Sequence, residues 1–590
     1  MNSTKMVKTN HWHTINWKKI NLYITRLRRK IYLASKEGNS HKVKIHQKLM
    51  LSSKANILYS IRFITQKNKA RPVAQLQGKK IVLLPVQKWR LYKDILEMDI
   101  QQWNPKSQVI GVRPDVTSIL EFSRKKIDIP KSNGKRKPLG IPVIKDLILQ
   151  LMIKNALEPE WEAKFDPKNF GFRPRRSAHD AMVNIWRFLN AGKKTWVLDA
   201  DIEQCFEKIP HKYLIKQIEN FPAKKLIVRW LKAGSLENNT FYQNKMSLQF
   251  SGRDIRQDGV LGPLLANIIL NGMEETLNIK YHKNGQIRAE NNYVVIRYAG
   301  DFIVLAKSET LLNEAKQLLE PWLNERNFEF SKEKTKLYNV KNQILTFLGF
   351  DFIIQGNICL VRPAKKAVKE AIADLKEIWS SHHGKPAYKA IYKLNQFITE
   401  WTNYYSKCNA NKTFRYLDHI IWHQALRFGK RTHPNKTVTW VFQKYFRSYK
   451  SNNPNCTFDR KYIFSDIDPR FGVLYLKLCA STKIKEHTPI KTHCNADDPE
   501  FKEYFKQRSK NQEEERMRNA TPFRFKIAKR QKYKCPVCNE FFGDEELEVH
   551  HIIPKSQNGS NKPENLIILH KDCHYKIHYD SKDTGLSRMR

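Results

Sequence analysis

Two pairs of side chains near the C-terminal end of the sequence have metal-ligand chemistry: Cys535-Pro-Val-Cys538 and, further on, His570-Lys-Asp-Cys573. A two-residue spacer lets both members of a pair turn toward one ion, and thiolates with an imidazole suit a tetrahedral zinc site. Between the pairs lie Glu548-Val-His550-His551 and then Asn565, and just after them come His574 and His578. Residues i and i+4 share a helix face, so His574 and His578 can grip one further metal together. A neutral imidazole, with a pKa of about 6.5, accepts a proton at neutral pH and can serve as the base of a hydrolysis. A zinc ribbon that only binds would need the first four ligands and none of the others.

A second group of residues is acidic. Val197-Leu-Asp199-Ala-Asp201 ends a short apolar strand in carboxylates, with Asp199 and Asp201 on one face by period-two alternation. Val295-Ile-Arg-Tyr298-Ala-Gly300-Asp301-Phe-Ile-Val-Leu reads as a β-hairpin with an acidic tip. Two acidic strand ends held side by side can bind a pair of divalent ions for phosphoryl transfer. One Asp at a strand end is ordinarily a solvated turn, so this reading needs both.

The C-terminal set resembles the HNH nuclease family, whose ββα fold holds one divalent metal beside the scissile phosphate. The resemblance implies that His550, His574 and His578 hold the catalytic metal, that His551 deprotonates the attacking water and that Asn565 orients it. Cys535, Cys538, His570 and Cys573 would then hold a structural zinc, which a module with so little core needs. The acidic segments, with Phe347-Leu-Gly-Phe350 and the helix start Gln257-Asp-Gly-Val-Leu-Gly-Pro-Leu-Leu-Ala-Asn267, resemble the reverse transcriptases encoded by group II introns. Ile129–Ile144 looks like that family's template-gripping fingers. Residues 398–446, with Trp401, Tyr404, Tyr405, Trp422, Arg427, His433, Lys436 and Trp440, resemble its maturase (X) domain, which forms the thumb.

This second resemblance implies a right-hand polymerase, with a catalytic role for Asp201 and Asp301 as metal ligands. Phe206 would abut the nucleotide sugar and Gln257 would lie in the nucleotide-binding loop. Lys131, Lys135, Arg136, Arg173, Arg175, Arg176, Arg427 and Lys436 are the candidate RNA contacts, whereas most of the thumb aromatics belong to helix packing. The implied cofactors are Mg2+ or another divalent metal at the polymerase and nuclease centres and structural Zn2+. The implied partners are intron RNA and double-stranded target DNA, and a homodimer is compatible with the class.

The chain also departs from the second family. Its usual Tyr-Ala-Asp-Asp is Tyr298-Ala299-Gly300-Asp301 here, which removes the carboxylate that bridges the metals. Asp258 adds negative charge to the loop Arg256-Gln257-Asp258-Gly259, and Arg175 replaces a common Gly. Loss of one ligand of a two-metal site costs orders of magnitude in rate. Three functions stay open: maturase with endonuclease and DNA synthesis, the same without DNA synthesis, and a homing endonuclease on a relic body.

The elements that must position these groups sit in a strongly basic chain. Lys and Arg number 106 against 57 Asp and Glu, a net charge of +49, while 41% of residues are hydrophobic, enough for real cores. Such a charge serves attraction to a polyanion, with counterion release supplying salt-sensitive affinity, and nucleic acid fits better than a membrane surface. There is no apolar run of spanning length and no secretory signal. The nine cysteines, three of them clustered near the C-terminal end, indicate metal use in a reducing compartment rather than a disulfide framework. A plastid, a mitochondrion or a bacterial cytoplasm is the expected location.

Two helices split at Gly38-Asn39-Ser40 are expected over 15–66, an irregular basic stretch over 67–140 ending in a Pro- and Gly-rich hairpin or loop, and a helix over Leu147–Phe165. Strands are expected at Thr195–Ala200, Tyr293–Arg297, Phe302–Ala306 and Leu345–Ile354, and helices without strands from about 365 to 480. The resulting division is 1–66 N-terminal helical extension, 67–365 fingers and palm, 366–480 maturase/thumb, 481–530 DNA-binding segment or linker, and 531–590 HNH module. The expected class is α+β, with an antiparallel palm sheet, a helical thumb and a small zinc-bound ββα unit.

Overall fold

The computed structural model describes residues 12, 15–67, 75–76, 79–80, 83–103, 125–130, 136–141, 144–190, 192, 194–202, 210–232, 235–237, 240–242, 260–449, 460–469, 472–518, 522–543 and 545–584. Three helices, not two, open it: α1 (Trp17–Lys36), α2 (Ser40–Leu51) and α3 (Lys54–Arg62). Gly38 (φ 72°) and the Asn39 cap make the expected turn. The second break carries neither Gly nor Pro; Ser53 makes it by accepting hydrogen bonds from the amides of Ala55 and Asn56. Helix α4 (Pro85–Glu97), started by Pro at its first position, falls where irregular chain was expected. Strands β1 (Lys125–Pro130) and β2 (Arg136–Ile141) form the expected hairpin. Helix α5 (Ile144–Glu162) is buried on nearly every side, and α1, α2 and α3 pack around it.

The palm follows with α6 (Ala178–Asn190), β3 (Trp196–Asp201), α7 (Gly262–Ile269), β4 (Val294–Tyr298), β5 (Asp301–Ala306), α8 (Glu309–Asn324) and β6 (Lys336–Asn339). Its sheet has the order β6-β3-β5-β4, antiparallel throughout. Alternation sends Leu198, Ala200, Phe302 and Val304 into one core with α1–α5, α7 and α8. Val197, Ile296, Ile303 and Leu305 enter a second core with α6 and the thumb. Both faces are therefore covered, and the edge strand β6, with its Lys and Asn, had no apolar signal to reveal it.

The expected run Leu345–Ile354 is two strands, β7 (Leu345–Phe347) and β8 (Phe350–Gln355), completed by β9 (Ile358–Pro363). They separate at Leu348 (φ 51°) and Gly349 (φ 80°), where a Cβ on Gly349 would lie 2.8 Å from Tyr405 Oη. The thumb is α9 (Lys365–Ser381), α10 (Ala387–Tyr405), α11 (Asn411–Thr432) and α12 (Val438–Tyr445). Strands β10 (Phe446–Tyr449), β11 (Arg460–Asp468) and β12 (Gly472–Tyr475) then form an antiparallel sheet where none was expected. Phe446 and Phe464 bury against α9 and α11 aromatics, so packing outweighs a sequence that alternates aromatic and acidic residues only briefly. Tyr404, Tyr405, Trp401 and Phe414 pack edge-on or tilted against one another at the core.

The first part of the segment expected as a DNA-binding segment or linker packs on the body as a strap. Asp497 and Asp498 pair with Arg28 and Lys36, and Asn495 donates to Glu162. At the other end, fully buried Asp180 accepts from Ser177 Oγ (2.8 Å), His487 Nε2 (3.0 Å) and the Ile490 amide (2.8 Å). Burial alone would raise this carboxyl; the bonds from His487, Ile490 and Ser177 hold it below its ordinary value. Helices α13 (Lys502–Arg518) and α14 (Pro522–Arg530) lead on to β13 (Leu547–His551), β14 (Leu566–His570) and α15 (Lys571–Thr584), the expected ββα order. Among the described residues no helix is long and apolar enough to cross a membrane. Asp180→Ala should cost roughly 3 kcal/mol, the scale for orphaning buried partners. Chemical denaturation reads the loss, limited proteolysis should open 481–501 first, and unchanged stability would contradict the anchoring role.

Candidate metal centres

The first four-ligand set is assembled as expected. Cys535, Cys538, His570 and Cys573 are buried with their ligand atoms within 4.8 Å of one another. A turn through Asn539 (φ 59°), closed by the Cys535 amide on Glu540 O, brings the first pair together. His570 ends β14 and Cys573 lies in the first turn of α15. His570 Nε2 lies 3.2 Å from Phe542 O, which turns Nδ1 to the thiols, 3.3 Å from Cys538 Sγ. A carbonyl fixing the ring from behind is the usual support of a metal-bound histidine. Hydrogen bonds among the thiols lower Cys535 and raise Cys573, so the cluster shares protons that a bound metal would displace. The donor set fits zinc, and the described cysteines are all free thiols.

The second set comes from β13 and α15. His550 faces the helix, where His574 and His578 sit one turn apart; their ligand atoms also lie within 4.8 Å of one another. The Nε2 atoms of His574 and His578 are 3.2 Å apart, and ring centroids of the three are 4.6–5.1 Å apart. Glu548, two residues back on the His550 face, holds His574 Nδ1 at 2.7 Å. Burial, then the charges of His574, His578 and His551, push His550 down to about 4, so its ring is neutral and ready to bind a cation.

His551 lies outside this cluster, on the opposite face of β13, with Nε2 2.9 Å from Asn561 Oδ1. Asn565, expected to orient the attacking water, has its side chain bonded to the neighbouring loop. Its buried amide donates to Ile553 O and Ser560 O and accepts from the Ile553 amide, clamping the loop between the strands. Neither Glu548 nor Asn561 stood out in the sequence; the period-two offset from His550 could have pointed to Glu548, whereas Asn561 sits in an Asn-Gly-Ser-Asn run that reads only as loop.

In the palm, antiparallel register sets Asp201 directly opposite Asp301, with Tyr298 across from Asp301 on the other side. Burial of its carboxyl, then the charge and hydrogen bond of Asp201, push Asp301 up to about 7, although the residue as a whole is exposed at the hairpin tip. Asp199 is pushed up to about 6, chiefly by burial, and binds Tyr338 Oη at 3.4 Å. Lys334 forms a close ion pair with Asp201. Among the described residues these carboxylates do not form a cluster of three metal ligands. Two acidic oxygen donors suit a hard divalent ion, so the residues fit one ion better than two.

The hairpin tip is fixed from below. Ala299 takes the left-handed conformation (φ 59°), while Gly300 is not among the described glycines that do. A Cβ on Gly171 would lie 2.3 Å from the Ala299 amide nitrogen, and Asn267 ties the two segments by accepting from Arg297 and donating to Gly171 O. The Phe170-Gly motif thus braces the acidic tip by close backbone approach.

Arg173 is buried, chelating Glu162 and the carbonyls of Asp166 and Asn169, so it builds the loop and does not face RNA. Arg176 is largely used in the same way, on Pro167 O and Thr492 O. Arg175, Arg427 and Lys436 are exposed, with Lys436 Nζ 5.5 Å over Trp440. Phe206, Gln257, Lys131, Lys135 and the side chain of Arg136 lie outside the described residues.

Residues 129–352 match the family described as reverse transcriptase (RNA-dependent DNA polymerase), and 12–95 the N-terminal domain of reverse transcriptase. Residues 368–446 match the group II intron maturase-specific domain and 535–580 the HNH endonuclease. Protein YkfC of Escherichia coli is 30% identical over 264 residues, 39% of this chain and 66% of that protein. The group II intron-encoded protein LtrA of Lactococcus lactis is 29% identical over 296 residues, 40% of this chain and 48% of that protein. Maturase-like protein 1 of Euglena longa is 21% identical over 407 residues, 67% of this chain and 78% of that protein. The chain thus spans 66% and 48% of the length of the two bacterial relatives.

Cys535→Ser, or a strong chelator, should release one zinc per chain and unfold the C-terminal module by several kcal/mol while the body stays folded. Elemental analysis with differential scanning calorimetry checks this, and a module that melts unchanged without zinc would contradict it.

Proposed function

We propose that this chain, which belongs to the group II intron-encoded reverse transcriptases and maturases with an HNH endonuclease domain, cuts target DNA with that domain while its basic body binds the intron RNA to promote splicing. The observation that carries the nuclease reading is the three-imidazole cluster with His551 beside it but outside it. Imidazole donors suit a borderline first-row divalent ion such as Mn2+ or Zn2+ as well as or better than Mg2+, and Zn2+ is the fit for the Cys3His set. A divalent ion bound by His550, His574 and His578 would supply charge to the phosphate and leaving oxygen.

A ring nitrogen of His551 takes a proton from water, and the water oxygen bonds to phosphorus. The phosphorus–oxygen bond to the departing sugar breaks, and the departing oxygen takes a proton from solvent. Glu548 fixes the His574 ring, and Asn565 holds the loop that carries Asn561. Cleavage of duplex DNA by the full chain should fall roughly 100-fold or more in His574→Ala, with the zinc content kept. Equal cleavage by this variant would refute the site.

A second reading, maturase and nuclease without DNA synthesis, is favoured by Gly300 and by the Lys334–Asp201 pair. Gly300 is not held in the left-handed conformation that favours glycine, so Gly300→Asp is the substitution that would add a third carboxylate. Primer extension on an RNA template should be weak in the wild-type chain, rise by orders of magnitude in Gly300→Asp and vanish again with Asp201→Ala. Strong extension by the wild-type chain would restore the full three-activity reading. A stand-alone homing endonuclease predicts no RNA affinity, whereas tight binding that weakens with salt, measured by gel shift, supports the maturase. A genome-bearing organelle or a bacterial cytoplasm is the proposed setting.

A further inference from the structure

The geometry points to Asn561 as the positioning residue that selects which nitrogen of His551 acts as base, an assignment that rests on the nuclease reading. His550 and His551 are neighbours on β13, so their side chains leave opposite faces of the two-stranded sheet. His550 joins the α15 histidines, while His551 shares its face with Val549 and Leu547. A metal held by the cluster therefore does not fix the His551 ring. Asn561 reaches it instead, with Oδ1 2.9 Å from Nε2.

An amide oxygen only accepts, so this contact places the proton on Nε2 and leaves the lone pair on Nδ1. Without it the imidazole would turn about its Cβ–Cγ bond and divide between tautomers, leaving only part of the population with the lone pair directed at water.

The loop that delivers Asn561 is closed without help from Asn561. Asn565 accepts from the Ile553 amide and donates to Ile553 O and Ser560 O; the Ile552 amide bonds Asn565 O, and the Gly559 amide bonds Pro554 O. A Cβ on Gly559 would fall 1.8 Å from Ile553 O, so the backbone closes on itself tightly at that point. Asn558 turns the chain in the left-handed conformation (φ 59°). Asn565 is thus the structural asparagine of the loop, and Asn561 is the one that touches the base. The Asn561 amide lies at the surface, where bound DNA would cover it and remove competing water.

The full zinc-loaded chain, assayed for duplex cleavage with Mn2+, separates the two roles. Asn561→Ala should lower kcat about 10- to 100-fold, with KM and melting temperature little changed, as for partners that orient catalytic imidazoles. Asn561→Asp keeps an acceptor oxygen and should recover much of what Asn561→Ala loses. Equal loss in both variants, or a kcat in Asn561→Ala equal to that of the wild-type chain, overturns the assignment.

The tautomer can be read without turnover from 15N shifts of labelled histidine rings, with the His551 signals identified by their loss in His551→Gln. A protonated Nε2 and bare Nδ1 are expected in the wild-type chain, and a mixed pattern in Asn561→Ala. A protonated Nδ1 in the wild-type chain overturns the assignment. A chain that shows the expected tautomer and cuts no duplex DNA would sink the nuclease reading and leave the positioning of His551 standing.

Discussion

Burial of both faces of the palm sheet is the constraint on which the body of this protein depends. Strands β3, β4 and β5 carry apolar side chains in both directions, so neither face can meet water. One face demands the N-terminal helices and α5; the other demands α6 and the thumb. With both layers in place the β3–β5 register is fixed, because a slip of one residue would exchange Val197 and Ile303 with Leu198 and Phe302 between cores. The same register puts Asp201 opposite Asp301. Placement of the acidic pair is thus a by-product of packing, and it survives the change to Gly300.

The nuclease module obeys a different rule. Its candidate ligands come from a strand end, a helix turn and a two-residue knuckle, all close in sequence, and a bound metal would add to the small core around Phe542, Leu566, Ile568 and Leu569. Precision therefore comes from local geometry: the one-turn spacing of His574 and His578, the strand alternation that parts His550 from His551, and the Asn565 clamp. One chain thus carries a local cluster of three histidines beside a palm in which two carboxylates face each other across the sheet.

Much of this was legible in the sequence because the determining signals were local. Cys-x-x-Cys and the i,i+4 histidines need only a neighbouring turn to come together, and each did, whereas the acidic strand ends, each legible as a strand end, meet only through the β3–β5 pairing. What was illegible depended on distant partners. The strap looked like linker because its anchors, Asp180, Glu162 and Arg28, lie hundreds of residues away. Arg173 is an exception: its mate Glu162 lies only 11 residues earlier, but the turn that folds the guanidinium back onto the helix end carries no spacing signal. Asn565 looked catalytic by type, yet its three hydrogen bonds are spent on the loop, and the amide that touches His551 belongs to Asn561. Edge strand β6 is short, and the thumb strands carry apolar residues in contiguous runs without the alternation that marks a half-buried strand.

The central claim is that the catalytic metal chemistry of this chain resides in the three-histidine site and is deficient in the palm. A Mn2+ titration of the full, zinc-loaded chain, followed by electron paramagnetic resonance, tests it most directly. One strong site is predicted, lost in His574→Ala and unaffected by Asp201→Ala. A strong site that survives His574→Ala, or that disappears with Asp201→Ala, would contradict the account.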